Sequence, residues 1–308
     1  MEPISGLISA PYTPFNPDGS LHLERIADLI EHSAATGLAG VFPCGTTGEF
    51  PSLTLSERRQ VSECWTQGAA GRFRVIVHVG GTCLGDSKEL AAHAADIGAD
   101  GIAMMAPYFF RPATVEELVD YCEQVAAAAP DVPFYYYHIP VMSGVALPMR
   151  DFLELAAGRI PSLAGIKFTH PDPMDIRRCL AFEDGRYDVL FGMDEALLAA
   201  LALGCRAAVG TTYGFAAPLS QGIIAAFDRG DMDEANRLQL LSAEMVAVYR
   251  KYNGAHPAMK TMMKICGLDC GPVRAPLRPL SEAEEETFRR EIEVTGGLQY
   301  CPGSGITG

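Results

Sequence analysis

Eight short apolar runs recur along the chain, punctuated by Gly, Pro or Thr, and each is followed by an amphipathic stretch of roughly a dozen residues. The runs are residues 6–12, 39–43, 74–79, 101–106, 133–137, 163–168, 187–191 and 206–210. The helical stretches are 21–35, 55–69, 86–97, 114–128, 148–157, 173–182, 195–203 and 218–227. Nearly continuous apolar strands, each crossing back through a helix, are what a parallel sheet buried on both faces requires. Eight such units predict an α/β fold of the (β/α)8 TIM-barrel type. A doubly wound open sheet is the rival; the count of eight and the lack of a G-x-G-x-x-G after the first run weigh against it. Thr54-Leu55-Ser56-Glu57 reads as a capping box at the head of the second helix.

After about residue 230 the strand pattern stops, and only helical periodicity remains. Residues 233–252, 257–266 and 281–293 read as helices, with Pro272, Pro276 and Pro279 breaking the segment before the last. The expected organisation is a barrel over 1–230, a helical extension of the same domain over 231–295, and a flexible tail over 296–308. With 48% hydrophobic and 20% charged residues, the chain can bury a large core. Its net charge of −14 argues against nucleic-acid or anionic-membrane partners. It leaves room for an anionic small-molecule substrate, because dipoles in a pocket override net charge locally. Nine cysteines without a C-x-x-C read as reduced thiols of a cytoplasmic protein. Neither a signal peptide nor a membrane-spanning run is expected.

In a barrel of this kind the chemistry stands at the C-terminal ends of the strands. The sixth run ends in Gly165-Ile166-Lys167-Phe168. Burial at such a position disfavours the ammonium and lowers the pKa of Lys167. A neutral amine there can attack a ketone to form a Schiff base. The alternative is a lysine whose stem carries its charge out to solvent. The fifth run ends in Tyr137, which could shuttle a proton beside the lysine. Alternation puts Tyr135 on the same face and Tyr136 on the other, both as packing aromatics, and turns His138 away as a satisfied structural histidine.

The second run leads into Cys44-Gly45-Thr46-Thr47-Gly48-Glu49. Its glycines permit a tight turn, and its backbone amides with the Thr46 and Thr47 hydroxyls could cradle a carboxylate. It could equally be an ordinary glycine-rich turn. Thr169 shares the face of Lys167. Asp194 and Glu195, after Gly192, could accept hydrogen bonds from sugar hydroxyls, or sit in a first helical turn where acids favour the dipole. Gly210-Thr211-Thr212-Tyr213-Gly214 is another hydroxyl-rich turn, and His170 and Asp172 lie in the loop outside Thr169. His78, His93 and Asp86 fit no metal-ligand spacing, so the arrangement suggests imine chemistry without cofactor or metal.

Residues 45–49, Tyr137 in Tyr137-His138-Ile139-Pro140, Lys167 in its strand end, and Gly192-Met193-Asp194-Glu195 together resemble the pyruvate-dependent class I aldolases of the dihydrodipicolinate synthase and N-acetylneuraminate lyase superfamily. The likeness spans residues 6–295. Phe109 stands where the synthase branch carries a relay tyrosine, and Met142 where it carries an arginine, so the chain looks more like the lyase branch. The stretches 57–61, 97–103 and 126–140 strengthen that likeness. Two positions depart from it: lyases usually have Asn where this chain has Gly214, and a small polar or acidic residue where it has His170. The resemblance implies reversible cleavage of N-acetylneuraminate to pyruvate and N-acetylmannosamine. It makes Lys167 the Schiff-base lysine and Tyr137 the general base, with Thr46 and Thr47 on the carboxylate. Thr169, Gly192, Asp194, Glu195 and Thr211 would bind the sugar part. It further implies a homotetramer in the cytosol. Alternatives are an aldolase or dehydratase of another 2-keto-3-deoxy sugar acid, a dihydrodipicolinate synthase-like enzyme, and a non-catalytic regulatory barrel.

Overall fold

The structure is a computed structural model describing residues 3–252 and 254–301. Eight strands close into a barrel in chain order: β1 (Gly6–Ser9), β2 (Gly40–Val41), β3 (Arg74–His78), β4 (Gly101–Met105), β5 (Phe134–His138), β6 (Leu163–Phe168), β7 (Asp188–Phe191) and β8 (Ala207–Gly210). All pairings are parallel, and β1 bonds to both β2 and β8. The fold is the (β/α)8 barrel that the eight runs predict.

Side chains on these strands alternate between two apolar layers. Ile8, Phe42, Ile76, Ala103, Tyr135, Tyr137, Leu190 and Val209 share the inner cluster. Leu7, Val41, Val75, Ile102, Tyr136, Ile166 and Val189 belong to the larger cluster under the helices. Each large side chain buried this way contributes about 1.5–3 kcal/mol of hydrophobic stabilisation.

The covering helices are α1 (Arg25–Ala35), α2 (Leu55–Ala69), α3 (Leu84–Asp96), α4 (Val115–Ala126), the single turn α5 (Pro140–Ser143), α6 (Met149–Ala157), α7 (Pro173–Leu180), α8 (Leu197–Leu203) and α9 (Tyr213–Asp228). The expected capping box is present at α2: Thr54 Oγ1 accepts from Glu57 N, and the Glu57 carboxylate accepts from Thr54 N at 2.8 Å. Several helix starts differ from expectation, among them α1, which begins at Arg25 rather than at 21. Helix α8 begins at Leu197, after a separate 3-10 turn over Asp194–Ala196. Helix α9 begins at Tyr213 rather than at 218, because Pro218 opens only its second stretch. A break at Ala216 (φ −130°, ψ 33°) precedes that proline, which lacks the N–H needed to continue the ladder.

Beyond the barrel lie α10 (Met232–Arg250), α11 (His256–Ile265) and α12 (Glu282–Thr295). The segment after residue 296 departs from the expected fray as far as Cys301. Gly297–Tyr300 forms a 3-10 turn with Leu298 and Cys301 buried. Gly297 passes so close to α10 that a Cβ there would meet Met245 Sδ at 2.2 Å. Apolar cover for these two side chains holds the segment down. The rest of the expected tail, 302–308, lies outside the described residues. The cysteines are free. Among the described residues no helix is long and apolar enough to cross a membrane.

Candidate active site

Strand register sets the centre of the site. Tyr137 of β5 is the partner of Lys167 of β6, and both side chains are buried at 3% exposure. Lys167 Nζ lies 4.0 Å from the centroids of both the Phe42 and the Tyr137 rings. Burial among these rings pushes its pKa down to about 7, against the opposing pull of Asp194. The lysine does not carry its charge out to solvent. It is held where a large share of it is neutral near pH 7.

Tyr137 Oη stands 3.4 Å from Thr46 Oγ1. Burial raises its pKa to about 12, partly offset by the hydroxyls of Thr46 and Thr169. Next in the chain, Thr47 Oγ1 bonds Thr211 Oγ1 at 2.7 Å, joining the turn after β2 to the turn after β8. That first turn is strained: Cys44 and Glu49 at its ends both have φ 56°, the left-handed region, costing about 1–2 kcal/mol each for residues with a Cβ.

Asp194 is a buried carboxylate, and it and Glu195 sit in the 3-10 turn that runs into α8, close to the helix-entry alternative. Its Oδ2 accepts from Thr212 N at 2.7 Å and from Thr212 Oγ1 at 2.6 Å. Burial lifts its pKa to about 6, while the Thr212 bonds and Lys167 hold it down. Gly210 makes room for it, since a Cβ there would come within 2.0 Å of Asp194 Oδ1. Gly192 plays the same part for Thr169, whose Oγ1 would lie 1.9 Å from such a Cβ. Glu195 is engaged by Arg250 of α10.

A cavity of about 720 Å³ opens over the ends of β6–β8. Of the residues singled out in the sequence, Thr169, Gly192, Asp194, Glu195 and Thr211 line it, as does His170. Thr46, Thr47, Tyr137 and Lys167 form the group joined to it through the Thr47–Thr211 bond. Gly214 is not among the lining residues; it packs beside Ser9 Oγ and Met263 Sδ. Phe109 and Met142 are exposed and are not among the lining residues, although Val141, beside Met142, is one of them. His138 does turn from Tyr137, packing on Phe168 with ring centroids 5.0 Å apart. It is less satisfied than expected: Nδ1 has no hydrogen-bond partner among the described residues. Burial lowers its pKa to about 3, so it is neutral.

Sequence reasoning missed three partners. Thr212 reads in the sequence only as part of a hydroxyl-rich turn, yet it supplies both bonds to Asp194 Oδ2. Lys260 of α11 pairs with Glu49 at 3.0 Å in the interior. His256 Nε2 donates to Thr46 O at 3.1 Å. The two α11 contacts join residues more than two hundred positions apart, with no local motif to announce them.

The sequence matches the profile of the Dihydrodipicolinate synthetase family over residues 3–295. The N-acetylneuraminate lyase of Gallus gallus is 39% identical over 283 residues, covering 91% of this chain and 92% of that protein. The solved N-acetylneuraminate lyase of Proteus mirabilis superposes with a TM-score of 0.94 at 39% identity, covering 96% of this chain and all of that one (100%). The N-acetylneuraminate lyase (sialic acid aldolase) of Aliivibrio salmonicida gives 0.94 at 38%, covering 98% and 100%. A buried amine at a strand end, a match along nearly the whole barrel and these relatives agree: the chain belongs to the dihydrodipicolinate synthetase family and is a lyase, a class I aldolase of that family.

Proposed function

We propose that the enzyme reversibly cleaves N-acetylneuraminate to pyruvate and N-acetylmannosamine. The observation that carries the reading is the Lys167 amine, lowered to about pKa 7 and set against Tyr137. The printed names of the relatives favour this substrate.

Lys167 attacks the C2 ketone of the open-chain sugar acid and, with loss of water, forms an iminium. The cation accepts the electrons of the C3–C4 bond, leaving an enamine, while the C4 hydroxyl loses its proton and becomes the aldehyde. Tyr137 handles that proton. With its pKa at about 12, only about one phenol in 10⁵ is ionised at pH 7, so it passes one proton on as it takes another rather than standing ready as a phenolate. The Thr46 hydroxyl is the oxygen beside it. Protonation of the enamine and hydrolysis release pyruvate. Thr46 and Thr47 with their amides hold the substrate carboxylate. Thr169, Gly192, Asp194, Glu195 and Thr211 face the sugar part in a cavity whose size suits a sugar acid.

A second reading, an aldolase of another 2-keto-3-deoxy sugar acid, draws on His170, an imidazole on the cavity wall where the lyase likeness expects a small polar or acidic residue. Pyruvate release from N-acetylneuraminate, set against release from other 2-keto-3-deoxy sugar acids, separates the two. N-acetylneuraminate should be turned over fastest, and faster release from another acid transfers the assignment to it. Absence of a borohydride-fixed pyruvate on Lys167 rejects both. The cytosolic homotetramer implied by the resemblance is part of the proposal, and sedimentation and cell fractionation test it.

A further inference from the structure

We infer that helix α11 positions the carboxylate-holding turn, with His256 and Lys260 as positioning residues. The inference rests on the reading of Thr46 and Thr47 as the groups that take the substrate carboxylate.

Within the turn over residues 44–49, Glu49 N donates to the Thr46 carbonyl at 3.0 Å, yet the backbone that this bond closes is strained. Two residues with side chains, Cys44 and Glu49, sit in the left-handed region at its ends. Such a backbone persists only where its surroundings over-determine it. From the barrel side, His78 Nδ1 bonds the Cys44 carbonyl at 2.9 Å, and Thr13 Oγ1 donates to the Gly48 carbonyl at 2.7 Å. From the other side the grip comes from beyond the barrel. His256 Nε2 donates to the Thr46 carbonyl, and Lys260 Nζ pairs with Glu49 Oε1. These residues are four apart on α11, so one helix face carries both contacts. Arg274 N donates to the other oxygen of Glu49 at 2.9 Å.

Lys260 and Glu49 have side chains 3% and 2% exposed. Well-packed apolar residues of similar volume often replace a buried ion pair without loss of stability, so stability alone is a weak reason for ions there. An ion pair adds direction: Lys260, also bonded to the Pro272 carbonyl at 2.7 Å, fixes where Glu49 ends. Holding the Thr46 carbonyl toward α11 has a second effect. The N–H of the same trans peptide, that of Thr47, then points away from α11. The extension thereby sets the direction of an amide that the carboxylate needs, without touching the substrate.

The test is borohydride trapping on Lys167 with two carbonyl compounds, pyruvate and hydroxyacetone, of which only pyruvate has a carboxylate. The variants are His256→Leu, His256→Gln, and the double change Glu49→Gln with Lys260→Met, which leaves no lone buried charge. For His256→Leu and the double variant, half-saturation by pyruvate should rise about tenfold, with trapping at saturation within about twofold of wild type and hydroxyacetone trapping unchanged. His256→Gln keeps a donor and should stay near wild type. Equal loss with both compounds, or no change with pyruvate, overturns the inference. His256 is only partly buried, so its two variants decide the question alone if the double variant fails to fold. Failure of wild type to trap pyruvate would instead reject the aldolase reading itself.

Discussion

Lys167 and Tyr137 are register partners on adjacent strands, with the amine 4.0 Å from the centre of the phenol ring. The ring that delivers a hydroxyl to the proposed reaction is therefore also one wall of the apolar space that lowers the lysine's pKa. The proposed nucleophile and the proposed proton carrier share one desolvated pocket.

A pH profile follows. With Lys167 at about pKa 7, the reactive amine falls about tenfold for each unit below that value and levels off above it. The rate at which borohydride fixes pyruvate, followed by mass, should show this bend. A rate still climbing near pH 10 would mark an ordinary lysine.

Asp194→Asn removes the charge that raises the lysine's pKa. Asparagine retains an acceptor for the Thr212 N–H, so the turn should hold. The bend in the trapping profile should move to the acid side of wild type. Movement to higher pH would show that Asp194 is not the lysine's counter-charge.

Tyr137→Phe keeps the ring against Phe42, whose centroid is 5.6 Å away, and deletes only the hydroxyl. Turnover should fall about 10²–10⁴-fold, while pyruvate is still trapped on Lys167. Near-normal turnover would take the proton shuttle away from this residue.

Lys167→Met should stabilise the fold while abolishing activity. The lysine pKa is depressed on folding from 10.5 to about 7, so folding carries the full penalty of the ammonium below pH 7 and sheds it as pH rises toward 10.5. At about 1.36 kcal/mol per unit, methionine should gain a few kcal/mol at and below neutral pH, with the advantage shrinking in alkali. Denaturant midpoints measured across that range would show it, and a constant difference would contradict it.

The strands were legible because their pattern is local and repeated, and the barrel rule then directs attention to Lys167 and Tyr137. Thr54 and Glu57 were legible for the same reason, being three residues apart in a known cap. What stayed hidden depends on partners from elsewhere. Glu49 reads as the end of a turn until Lys260 arrives from α11. Glu195 reads as a sugar contact or a helix-entry acid until Arg250 of α10 reaches it. Gly210 reads as a turn residue until the Asp194 carboxylate fills the place of its missing Cβ. The buried tail residue Leu298 could not be told from fray, because its cover is tertiary.

Barrel closure pairs Gly6 with Ala207, so β1 waits for a strand about two hundred residues downstream. Until then, a partial sheet built from the earlier strands has two unpaired parallel edges. A folding chain of this protein is thus open to edge-to-edge association until its eighth strand is in place.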